Sequence, residues 1–129
     1  MKPETARYLD KARQCLADAE RLQAFIPRVA SREAYLAAFH ASEALLYERR
    51  GRITKTHRGI RAQFALLAKE DSEIDHELPE FLGRGYELKS LADCGTGAEA
   101  IISTTAAASA VAPAKCFVEN NSKLLQEAP

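Results

Sequence analysis

The sequence predicts an all-α fold, an antiparallel up-and-down bundle of about five helices that forms one domain over residues 1–129. Three observations predict it. Apolar residues recur at intervals of three and four along most of the chain, the spacing of one helix face. No segment alternates apolar and polar residues as a strand does, and no repeat of 20 to 50 residues is visible. A length of 129 residues is enough for one core and too short for two.

The first helix is predicted from Pro3 to Phe25, where Ala6, Leu9, Ala12, Leu16, Ala19, Leu22 and Phe25 fall on one face. Pro27 ends it, because proline disfavours helical geometry in the residue before it, and Ser31 is a candidate cap for the next helix. That second helix starts at about Arg28 or Arg32 and runs to Arg49. Its wide apolar stripe (Tyr35, Leu36, Ala38, Phe39, Ser42, Leu45, Leu46) marks it as central. Gly51 stops it, and Arg52 to Thr56 form a connection.

A third helix begins near Thr56 and carries Ile60, Phe64, Leu67 and Ala68. The fourth is predicted from about Pro79 to Ala92, with Phe81, Leu82, Tyr86, Leu88 and Leu91, despite Gly83 and Gly85, each of which costs about 1 kcal/mol relative to alanine. Asp93 to Gly97 reads as a turn. The last helix starts after Ser103 and runs through Val111, Phe117, Val118, Leu124 and Leu125. Pro113 predicts either a kink there or a later start, since an interior proline removes a backbone hydrogen bond.

With 47% hydrophobic and 28% charged residues the composition is that of a folded domain. No apolar run approaches the roughly 20 residues of a membrane span and the first residues lack the apolar core of a secretion signal, so a cytoplasmic protein is expected. Cys15, Cys94 and Cys116 are scattered and read as reduced packing residues rather than a disulfide or zinc framework; no metal or cofactor is expected. Net charge is zero but uneven: Arg28 to Arg61 holds eight basic residues against three acids, and Glu70 to Glu80 holds six acids and no Lys or Arg. This pattern fits either a basic surface for phosphates or two solvated faces that offset each other.

A glycine-rich phosphate loop, a Gly-x-Ser-x-Gly turn and a His-Glu-x-x-His helix are all missing, which removes the common enzyme classes that rely on them. Two polar groups remain. Arg32, His40, Glu43 and Tyr47 stack along one strip of the second helix, where His40 and Glu43, one turn apart, can bond to each other. Arg52, Lys55, His57 and Arg58 follow in the connection and at the start of the third helix, where a helix N-terminus favours anions.

Ser31-Arg-Glu-Ala-Tyr-Leu-Ala-Ala-Phe-His-Ala-Ser-Glu-Ala-Leu-Leu46 resembles the central helix of HEPN-domain proteins, specifically the small UPF0332-like group. Lys55-Thr56-His57-Arg58-Gly59-Ile60 with Phe64 is similar to that group's Lys-Thr-His-x-Gly-Val/Ile segment. Tyr86-Glu-Leu-Lys-Ser-Leu-Ala-Asp-Cys94 resembles its Tyr-x-x-Arg-x-x-Ala-Asp-Tyr motif, and Ala114-Lys-Cys-Phe-Val118 its closing stretch. Four anchors in the same order span nearly the whole chain.

The resemblance implies a helical bundle, often a homodimer, associated with nucleotides or RNA and often with a small nucleotidyltransferase partner. Several branches of the superfamily are ribonucleases of toxin-antitoxin or defence systems, with Arg and, four to six residues later, His near the end of a late helix. In such a site an imidazole moves a proton at the ribose 2′-hydroxyl and arginine stabilises phosphate charge. Here Lys89 stands in place of that Arg, Asp93 where the His would be and Cys94 in place of Tyr, and Lys89 with Asp93 can form an ion pair along one helix face.

Arg52 and His57 have the Arg-x4-His spacing but lie between the second and third helices, so the cutting role is not carried onto them. The leading expectation is a module that dimerises and binds nucleotide, RNA or a nucleotidyltransferase partner through Arg52, Lys55, His57 and Arg58. The alternatives are a metal-independent ribonuclease toxin using His40 or His57, and a purely structural interaction module whose acidic stretch docks a basic protein.

Overall fold

Five α-helices and no strand make up the computed structural model over the residues it describes, 1–98 and 101–127. They are α1 (Pro3–Leu22), α2 (Pro27–Arg50), α3 (His57–Glu70), α4 (Glu77–Cys94) and α5 (Thr104–Glu127), and they form a helical bundle. Pro3 opens α1, where its missing N–H is one that no helix would satisfy, and Leu9, Ala12, Leu16 and Ala19 turn inward as their spacing predicts. The helix nevertheless stops at Leu22, three residues short of Phe25, whose surface is 82% exposed. Pro27 is the cause: it forces Ile26 out of helical geometry (φ −134°, ψ 75°), and the residues before it close as a turn onto the Leu22 carbonyl.

The same proline starts α2. Ser31 is therefore no cap; it lies buried inside the helix, and the cap position falls to Ile26, which has no side-chain oxygen to give. As expected, α2 is central, touching the other four helices and packing most extensively on α1 and α5. Ala30, Ala34, Ala37, Ala41 and Ala44 are all completely buried, and their small side chains let neighbouring backbones come close. Gly51 ends the helix in left-handed geometry (φ 74°) with its N–H on the Tyr47 carbonyl, 2.7 Å away.

Ile60, Phe64 and Leu67 of α3 and Phe81 and Leu82 of α4 complete the core with Val111, Phe117, Val118, Leu124 and Leu125 of α5. The Phe117 ring meets Phe64 at 5.2 Å and Phe81 at 6.1 Å between centroids. α4 starts two residues before Pro79, which sits in the first turn where a missing N–H is harmless. It also runs unbroken through Gly83 and Gly85. α5 begins after Ser103, whose hydroxyl accepts from the Ala106 N–H at 3.0 Å, and it continues across Pro113, so the later start does not occur. The carbonyl left without its helical donor is that of Ser109, an exposed residue, where water can replace the bond.

The basic and acidic stretches of the sequence partly join. Arg49 Nη1 reaches Asp71 Oδ2 at 2.8 Å and Arg50 Nη2 reaches Glu70 Oε2 at 3.1 Å, fastening the end of α2 to the end of α3. Of the cysteines only Cys15 packs, and burial pushes its thiol up to about 11; Cys94 and Cys116 are exposed, contrary to the packing role expected of them. No helix among the described residues is long and apolar enough to cross a membrane.

Candidate functional site

Thr56 and Gly59 fix the start of α3. The Thr56 hydroxyl caps the helix by accepting from the Gly59 N–H at 3.0 Å, as the sequence predicts for a helix beginning there. A Cβ at Gly59 would lie 2.3 Å from Thr54 Oγ1, so only glycine fits under this turn. The consequence is a defined position for His57, the first residue of the helix.

His57 turns inward while its basic neighbours turn out. Its ring stacks on Phe39 with 4.2 Å between centroids and 20° between planes, and its Nδ1 lies 2.8 Å from the hydroxyl of the buried Tyr35. Tyr86 of α4 meets Tyr35 edge-on at 5.5 Å. This approach depends on Gly85, where a Cβ would already press on Tyr35 at 3.3 Å. One turn beyond His57, the Arg61 guanidinium lies over the Tyr86 ring, 4.0 Å from its centre.

Charge and burial set the state of this cluster. Burial, and then the nearby Lys89, hold the His57 imidazole below its ordinary pKa; Arg61 and His40 act in the same direction and Glu43 opposes them. The ring is accordingly neutral near pH 7. Burial raises the Tyr35 phenol well above its ordinary value, so its hydroxyl stays protonated. With no other hydrogen-bond acceptor for Tyr35 among the described residues, the O–H donates to His57 Nδ1, which places the ring's own proton on Nε2.

The strip along α2 divides: Arg32 turns to α4, His40 and Glu43 to each other, and Tyr47 to α1. Arg32 Nε reaches across to Asp93 of α4 at 3.4 Å and Arg32 Nη1 reaches Glu33 at 3.4 Å. Asp93 is also the partner of Lys89, 2.9 Å away, the ion pair that the spacing on α4 predicts. His40 Nδ1 and Glu43 Oε1 bond to each other at 2.5 Å, with the His40 ring edge-on to Phe39. Tyr47 belongs to α1's side: it packs on Tyr8 at 6.1 Å and lies under the Lys2 ammonium.

Arg52, Lys55 and Arg58 are exposed, and among the described residues none makes an ion pair or a side-chain hydrogen bond. The structure thus separates the four residues grouped by sequence: three form an outer basic surface and His57 joins Tyr35, Phe39 and Tyr86 within. Two members of the inner cluster escaped the sequence reading. Tyr35 read as a core aromatic, and Arg61 as one more basic residue, although its spacing of four from His57 puts both on one face of α3.

Among the described residues no group of three or more His, Cys, Asp or Glu side chains is placed to hold a metal. The arrangement offers instead hydrogen-bond donors and fixed positive charge, the chemistry of anion recognition. The family model of the HEPN domain matches residues 5–123, which covers α2, α3 and α4 entirely and most of α1 and α5. The chain belongs to the HEPN-domain family. No curated protein matches it significantly.

Proposed function

We propose that this HEPN module binds a nucleotide or RNA without cutting it, on the face where the start of α3 meets α2 and α4. The observation that carries the reading is the unpaired basic surface of Arg52, Lys55 and Arg58 directly beside the half-buried His57 cluster. Binding without cutting is favoured by the hydrogen bond from Tyr35, since an imidazole protonated on Nε2 and occupied at Nδ1 has no free lone pair to take a proton from a 2′-hydroxyl. Asp93, held between Lys89 and Arg32, offers no replacement for the histidine of the cutting members. The order of the four sequence anchors supports placing the chain with the small UPF0332-like group, and with it a homodimer and a small nucleotidyltransferase partner.

The test is anisotropy of labelled RNA at about 50 and about 200 mM salt, with the molar mass measured in the same samples. Binding should weaken steeply with salt. Replacing Arg52, Lys55 and Arg58 together by alanine should reduce affinity about tenfold and flatten the dependence of log K on log salt by about 2. The RNA should remain intact on a gel. Cleavage would instead establish the ribonuclease reading, and indifference to RNA at both salt concentrations would leave a protein-interaction module.

A further inference from the structure

Arg61 differs from Arg32, Arg49 and Arg50 in lacking an acid, and from Arg52 and Arg58 in being half-buried. Its Nε is buried and has no hydrogen-bond partner, and no acidic side chain among the described residues pairs with it. Arg32, by contrast, has two acids, and Arg49 and Arg50 have one each. A buried donor left without an acceptor is costly, and the remaining guanidinium N–H groups of this half-buried arginine are the ones left to meet an oxygen that the chain itself does not provide. The Tyr86 ring beneath it fixes its plane but can accept no conventional hydrogen bond from its edge.

Two further donors stand next to it. His57 lies on the same face of α3 one turn away, its ring centre 5.9 Å from that of Tyr86, with Nε2–H as its remaining donor. Lys89 lies one turn beyond Tyr86 on α4, only 21% exposed, and gives one of its three N–H groups to Asp93. Arg61 and His57 of α3 are thus grouped around the Tyr86 ring, with Lys89 on the next turn of α4.

We propose that Arg61, Lys89 and His57 form a seat for a terminal phosphate monoester, the end group of a nucleotide or of an RNA strand. This rests on the nucleotide or RNA reading and narrows it. A monoester carries nearly two negative charges, which the two fixed cations Arg61 and Lys89 match, with the His57 N–H as a further donor. A phosphodiester or a carboxylate carries a single charge and neutralises the two fixed cations, Arg61 and Lys89, less completely. The outer residues Arg52, Lys55 and Arg58 then follow the rest of a strand, and Arg61 reads its end.

Calorimetric titration of the full chain with 5′-AMP, adenosine, the trinucleotide pUUU and its 5′-hydroxyl form UUU tests this, using wild type, Arg61→Gln and Arg61→Lys. The phosphorylated probes should bind about tenfold or more tightly than their unphosphorylated counterparts. Arg61→Gln should erase that preference and Arg61→Lys should restore part of it. AMP binding as tightly as pUUU identifies a free nucleotide as the source of the phosphate, and pUUU binding tighter identifies an RNA end. Equal affinity for pUUU and UUU overturns the seat while leaving the RNA reading intact, as does a preference that survives Arg61→Gln. If no probe binds, both fall. Should Arg61→Gln prove unfolded by thermal melting, Lys89→Gln carries the same expectation.

Discussion

The two sides of α2 are built on opposite rules. Toward α1 and α5, on which it packs most extensively, it brings fully buried alanines whose small side chains let backbones approach closely. Toward α3 and α4 it presents Arg32, Tyr35 and Phe39, and there the contacts are ring stacking, a hydrogen bond and an ion pair. The first side is mainly non-directional packing, with one buried hydrogen bond from Asn121 Nδ2 to the Ala41 carbonyl, and holds the bundle together; the second relies more on directional contacts. A substitution in the core should therefore change stability and leave the chemistry of the cluster alone, and one in the cluster should do the reverse.

The largest effect is expected in the core. Phe117 is fully buried against Phe64 and Phe81, and Phe117→Ala should destabilise the fold by about 3–5 kcal/mol in denaturant unfolding. In the folded fraction the His57 ring should titrate as in wild type. A large shift of that titration would mean that the two sides of α2 are not independent.

Tyr35→Phe probes the other side. Losing one buried hydrogen bond should cost about 1 kcal/mol, well below the effect at Phe117. The informative change is in His57: without the phenol donor at Nδ1 the neutral ring loses its stabilisation, so its pKa should rise toward the ordinary value, as followed by the ring-proton NMR shifts. An unchanged titration would remove Tyr35 as the group that sets the tautomer.

His57 also predicts the pH dependence of stability. Its folded pKa is depressed, so the unfolded chain takes up the proton first, near about pH 6.5. The contribution is complete above that pH and is lost as pH falls through the window down to the folded pKa. Thermal midpoints should thus drop between about pH 7.5 and about pH 5.5, and drop less in Tyr35→Phe, where the two pKa values lie closer together. A wild-type midpoint constant over this range would contradict the assignment.

The contrast between the two sides also explains what could be read from the sequence. The core side follows a local period, so Leu9, Leu45, Phe64 and Phe117 were identifiable by spacing alone. Phe25 satisfies the same period and is exposed, because the backbone break imposed by Pro27 interrupts the helix that the period presumes. The cluster depends on non-local pairs. The Tyr35 hydroxyl meets a ring 22 residues away and Arg61 lies on a tyrosine of another helix, so no spacing could place either. His57 was recognisable as a motif residue, but its separation from Arg52, Lys55 and Arg58 follows from which way each side chain leaves the start of α3.

The smallest expected effects discriminate among the basic residues themselves. Arg50 and Arg52 are two apart in the sequence and count equally in its charge, yet Arg50 is held by Glu70 and Arg52 has no partner among the described residues. The Arg50 pair is partly exposed, so Arg50→Ala should change stability by no more than about 0.5 kcal/mol. It should also leave RNA affinity unchanged, since the pair is already close to neutral. Arg52→Ala should leave stability alone and weaken RNA binding measurably at low salt, with the difference shrinking as salt rises. If the two variants weaken binding equally, the ion pair gives way to the ligand, and the basic surface extends along the end of α2 instead of stopping at Gly51.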